Sequence, residues 1–123
     1  MTIGERPSRK SFSRKTREAV YAKLGGHCAY CGCEISIKEM QIDHLESFYN
    51  GGKDEIDNLL PSCRQCNFYK STFSLEVYRE YVKGLLNRIL DRSFVVRLAI
   101  KYGMLSVNDW DGNFYFEKQK EAK

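Results

Sequence analysis

"QIDHLESFYNGGKDEIDNLLPSCRQCNFYK", residues 41–70, continues a short apolar alternation from the preceding Met40 to Ile42 and gives way to Asp43 and His44. A polar loop with glycines at 51 and 52 follows, then "NLLP", then a cysteine pair that opens the run "CRQCNFYKSTF". Period-two alternation, turn residues, a second apolar run stopped by Pro61 and a longer amphipathic run predict strand (39–44), loop (46–57), strand and helix. The cysteines tie this unit to a place further back. Cys63 and Cys66 answer an earlier pair, Cys28 and Cys31 in "CAYC", with 31 residues between the pairs.

Two thiolates spaced by two residues form a knuckle that grips a tetrahedral metal, and two knuckles complete a closed four-cysteine zinc site. The separation is longer than in the shortest zinc ribbons, so the metal would clamp the base of the inserted segment. Disulfides suit the chain poorly, because nothing in it suggests export. A thioredoxin-like role needs one pair beside a βαβ pattern, not two pairs around a loop. The fifth cysteine, Cys33, reads as a small packed side chain, with substitute ligand as the alternative. His27 beside the knuckle reads as a local structural residue or an occasional substitute ligand, not as a catalytic one.

At 123 residues the chain has the length of one domain, with 42% hydrophobic and 29% charged residues. No apolar run approaches the ~18 residues that span a membrane, and the N-terminus lacks the apolar segment of a secretory signal. An intracellular, cytoplasmic protein is expected. The net charge of +4 is unevenly spread: residues 1–17 hold six basic residues, Arg9, Lys10, Arg14 and Lys15 among them, against Glu5 alone. That segment reads as a basic, flexible leader, residues 1–17, either a phosphate-seeking arm or a solubilising tail. The remainder, 18–123, reads as one domain with its motif core at 25–72.

Outside the core the pattern is helical. "RKTREAVYAKL" predicts a helix over 14–24 ended by Gly25 and Gly26. Ser74 caps a run in which apolar residues from Leu75 to Leu90 recur every three or four positions, a stripe expected to cover the domain's own core. "FVVRLAIKY", 94–102, reads as a further helix. The Asp-Gly signal in "VNDWDGNFYFEK" predicts a C-terminal strand or hairpin.

The Asp-His pair, the glycine pair, "DNLLPSC" and "CRQCNFYK" together resemble the HNH endonucleases, of the zinc-knuckle ββα-metal type. The resemblance covers roughly residues 25–72. It implies a small α+β ββα-metal core clamped by four cysteines, with flanking helices. It also implies roles. His44 matches the general base, and a neutral imidazole suits that task near neutral pH. Asp43 matches the family's metal-binding aspartate, and Asn58 the asparagine that holds the loop so that the base is aimed. Asn67 stands where the last histidine of the name would be, and its amide oxygen suits a hard cation better than imidazole does. Asp43 and Asn67 would take Mg2+ or Mn2+, while Cys28, Cys31, Cys63 and Cys66 take structural zinc. Lys70 shares the helical face of Asn67 and is a phosphate contact by this reading, as is Arg64.

The expected function is metal-dependent hydrolysis of DNA phosphodiester bonds, with a single base per chain and therefore nicking by a monomer. RNA as substrate remains open, and so does a zinc-stabilised nucleic-acid-binding module whose site is inactive or partner-dependent. Phage, mobile-element and defence settings are not separated by these residues.

Overall fold

The computed structural model describes residues 12–46 and 51–121. The predicted leader residues Arg9 and Lys10 lie outside them. Among the described residues the order is α1 (Arg14–Ala22), β1 (Gln41–His44), a 3-10 turn (Ile56–Asn58), β2 (Leu59–Ser62), α2 (Arg64–Lys70), α3 (Leu75–Lys83), α4 (Leu85–Arg92), α5 (Phe94–Lys101) and α6 (Tyr115–Glu121). This is a small α+β fold. None of these helices is long and apolar enough to cross a membrane.

The Ser13 hydroxyl caps α1 by accepting from the Thr16 amide. The helix buries Val20 and is stapled to its surroundings by cations from its other side chains. Arg17 donates to the carbonyls of Ile37 and Met40, and Lys23 to those of Ile56 and Leu59. Arg14 and Lys15, counted with the leader by charge, are exposed helical residues.

β1 and β2 form an antiparallel pair in which Ile42 faces Pro61, Asp43 faces Leu60 and His44 faces Leu59. The second strand runs through Pro61 without losing a ladder bond. Its carbonyl accepts from the Ala29 amide at 2.8 Å, so the proline nitrogen also points away from β1. Alternation then sends the strand into two cores. Leu60 joins Cys28, Ala29, Tyr30, Tyr78, Phe114 and Phe116, whereas Leu59 joins Val20, Ile35 and Met40.

The long helical stripe breaks where α3 meets α4. α3 starts on Ser74, whose hydroxyl accepts from the Val77 amide, and ends at Gly84. α3 buries Tyr78, but α4 and α5 bury no residue fully. The expectation that this stripe covers the domain's core therefore holds for α3 and fails for α4, where Leu85 and Ile89 are exposed.

The predicted C-terminal strand or hairpin is corrected to a turn followed by α6. Asp111 accepts from the Asn113 amide, which makes the expected turn. The Glu117 carboxylate then accepts from the Phe114 amide, a cap by the third helical residue of the kind that starts helices. Strong helix formers follow. The alternation that suggested a strand is real, since Phe114 and Phe116 are both buried. Its backbone is used differently. The amides of Tyr115 and Phe116, orphan donors in a first helical turn, donate to the carbonyls of Tyr30 and Ala29 in the first knuckle. Arg79 of α3 locks the arrangement through Glu117 at 2.7 Å.

Candidate active site and metal centre

The four knuckle sulfurs come together as their spacing requires. Those of Cys28, Cys31, Cys63 and Cys66 all lie within 4.8 Å of one another, and Cys31 and Cys63 are 3.9 Å apart. Zinc–sulfur bonds of ~2.3 Å in a tetrahedron put sulfurs ~3.8 Å apart, so the donor set fits zinc as it stands. Amide donors orient the sulfurs, from Tyr30 to Cys28 and from Cys66 to Cys63, which also caps α2. The hydrogen bond from Cys66 holds the Cys28 thiol down at about 4, while that bond and burial push Cys66 far up. Four sulfurs packed this closely cannot all ionise without a cation among them.

Gly32 is required between Cys31 and Cys33. Its φ is +82°, and a Cβ there would stand 2.7 Å from the Tyr115 ring. Cys33, read as a packed side chain, is instead exposed; it is not one of the four clustered ligands, but its thiol borders those of Cys31 and Cys63, and its carbonyl accepts from the Cys28 amide. Because a carbonyl only accepts, His27 donates from Nδ1 to the Leu24 carbonyl at 3.1 Å, and its ring stacks on Tyr115 at 5.3 Å. It is a packing residue.

The catalytic candidates gather around the end of β1, on its two faces. Asp43 points inward, only 5% exposed. Its Oδ2 accepts from the Tyr30 hydroxyl and pairs with the Lys70 ammonium at 3.0 Å. Burial pushes the Asp43 carboxyl above its ordinary range, against the opposing pull of Lys70, Tyr30 and His44. Burial and the Asp43 charge together push the Tyr30 phenol well up. Asn67 lies one helical turn before Lys70, half-buried, on the face of α2 that meets β1.

His44 points the other way. Its Nε2 is 2.6 Å from Oδ1 of Asp54, and its ring packs against Phe12 with centroids 6.1 Å apart. Asn58 staples the intervening loop. Its Oδ1 accepts from the Glu46 amide at 2.8 Å, and its Nδ2 donates to the carbonyls of Glu46 and Lys53. The Leu45 amide donates to the Asn58 carbonyl, continuing the strand pairing past His44.

The surface role read for Lys70 is corrected. The residue is fully buried, and its ammonium is spent on Asp43 and on the His44 carbonyl at 2.9 Å, so it does not face a phosphate in solvent. Arg64 is exposed at the start of α2. Two partners escaped the sequence reading. Tyr30 carried a signal, an aromatic with a hydroxyl placed between two metal ligands. Asp54 carried none, being one of several acids in a polar loop.

This geometry agrees with what comparison finds. Residues 28–73 match the family model of the HNH endonucleases. Among solved structures, the type II-C Cas9 enzyme from Actinomyces naeslundii is similar, at 27% sequence identity and a TM-score of 0.51 over 64% of this chain. The match spans 8% of that enzyme's length. A search of curated proteins finds no match.

Proposed function

We propose that this chain is a metal-dependent endonuclease that hydrolyses DNA phosphodiester bonds, with His44 as general base. The observation that carries this reading is the placement of His44 at the end of β1, beside a loop held by all three side-chain hydrogen bonds of Asn58. Asp43 and Asn67 suit a hard divalent cation. Both contacts of Asp43 fall on Oδ2, and neither Asp43 Oδ1 nor the side-chain amide of Asn67 carries a hydrogen bond among the described residues. Mg2+ or Mn2+ held there would offset charge on the scissile phosphate and the departing oxygen.

The protein's own part is proton transfer and positioning. His44 takes a proton from the attacking water, the water oxygen bonds to phosphorus, and the bond to the leaving sugar oxygen breaks, that oxygen taking its proton from solvent. Asn58 keeps His44 aimed, while Tyr30 and Lys70 hold Asp43. Arg64 and the basic residues near the N-terminus, Arg9, Lys10, Arg14 and Lys15, supply charge for the nucleic-acid backbone. Arg17 belongs to the fold through its carbonyl bonds. One base per chain makes the monomer a nicking enzyme.

The second reading, a zinc-stabilised binding module, draws on the neutralisation of Asp43 by Lys70. Incubation of supercoiled plasmid and of RNA with Mg2+ and with Mn2+ separates the two. Open circles accumulating before linear product support the nicking enzyme. Binding without cleavage of either nucleic acid supports the module, and linear product from the start supports an assembled dimer.

A further inference from the structure

The assignment of His44 as base leaves the 2.6 Å contact between its Nε2 and Asp54 without a role. A carboxylate oxygen only accepts, so the imidazole nitrogen facing it carries the hydrogen. We propose that Asp54 is the positioning residue for His44: by accepting from Nε2–H it fixes the neutral tautomer in which Nδ1 receives the proton of the attacking water, and it then faces the imidazolium with negative charge. This inference rests on the nuclease reading of the same site.

Three features of the fold build the pair. Asn58 ties the backbone on both sides of it, at Glu46 two residues after His44 and at Lys53 immediately before Asp54. One amide side chain thus sets the spacing between imidazole and carboxylate. Phe12 packs on the ring at a 43° tilt, which limits its rotation. The Lys70 ammonium holds the His44 carbonyl, which fixes the backbone from which the ring projects. The His44 side chain is only 11% exposed, whereas that of Asp54 is 42% exposed. A surface ion pair at 42% exposure contributes little to stability, so a large effect of Asp54 on turnover would be a chemical effect and not a folding one.

The division of labour has a precedent in the physics of the serine-protease triad, where a carboxylate on one imidazole nitrogen sets which nitrogen is the base, and its amide replacement favours the wrong tautomer. The same logic applies to any histidine that must accept a proton at a defined nitrogen.

The test uses the full chain and its Asp54→Ala, Asp54→Asn and Asp54→Glu variants. Each is assayed for cleavage across DNA and Mg2+ concentrations up to saturation, with thermal midpoints recorded. Asp54→Ala is expected to lower the cleavage rate about 10- to 100-fold, with KM and the Mg2+ concentration for half-maximal rate changed less than about twofold. Asp54→Glu should recover much of the rate and Asp54→Asn should not. Imidazole 15N shifts, assigned with His44→Ala at a pH where the ring is neutral, should show the Nε2–H tautomer in the parent chain and its loss in Asp54→Ala. An unchanged rate in Asp54→Ala, an effect confined to KM or to Mg2+ dependence, or an Nδ1–H tautomer in the parent chain would overturn the inference. If the parent chain cleaves nothing, the nuclease reading fails, and the 15N shifts alone still decide whether Asp54 fixes the ring.

Discussion

Residues 25–73, with one short α-helix beside a strand pair, and residues 74–107, almost wholly helical, are held together by different means. The first region carries the sulfur cluster, a fully buried lysine paired with an aspartate, and an asparagine that makes three hydrogen bonds to one loop. The second has amphipathic helices whose apolar residues stay in contact with solvent, among them Phe94, Val95 and Tyr102. A short ββα unit offers too little apolar area to stand on burial alone, so polar bonds and a four-sulfur cluster suited to zinc supplement it, partly at the same side chains to which the proposed chemistry is assigned. The helices of the second region are tied to the core through α3, by buried Tyr78, by the partly buried Leu75, Tyr81 and Val82, and by the Arg79–Glu117 pair.

Removing the metal ligands should break the contrast most sharply. Cys66→Ser, or chelation of the native protein, is expected to unfold residues 25–73, because zinc binding of ~10–16 kcal/mol at such sites exceeds the stability of a small domain. Metal analysis should give one zinc per chain in the parent protein, and circular dichroism should show some helix surviving in the variant. A folded, metal-free parent would contradict the clamp.

The buried ion pair comes next. Lys70→Ala leaves the Asp43 carboxylate inside without its cation, and should cost about 3–5 kcal/mol in urea unfolding. A value near that of an exposed lysine would mean that Lys70 reaches solvent after all. Asn58→Ala should cost about 1–3 kcal/mol through its orphaned backbone partners. Hydrogen exchange at the Glu46 amide would report that loss locally. At the small end, Val95→Ser on α5 should stay within about 0.5 kcal/mol, as solvent-facing exchanges do. A larger loss there would show that the α5 face is covered.

How far the sequence could be read follows the same division. Cysteine spacing is a covalent-geometry signal, so the metal cluster was legible, and with it the order strand, loop, strand, helix. Ser74 announced its helix for an equally local reason. The C-terminal segment misled because Phe114 and Phe116 alternate in burial, as a strand would, while their backbone is governed by a cap from Glu117 and by carbonyls of the distant first knuckle. Lys70 misled because lysines are almost never fully buried unless paired, and its partner Asp43 sits on another element. The partnership of His44 with Asp54 depends on how Asn58 folds a loop, which no periodicity records.

The most direct test of the central claim is the Mg2+-dependent cleavage rate of the parent chain against His44→Ala, at equal zinc content and equal DNA binding. Loss of a positioned general base should slow cleavage by about 10²- to 10⁴-fold, with DNA affinity unchanged. A His44→Ala protein that cleaves at the parent rate would contradict the account.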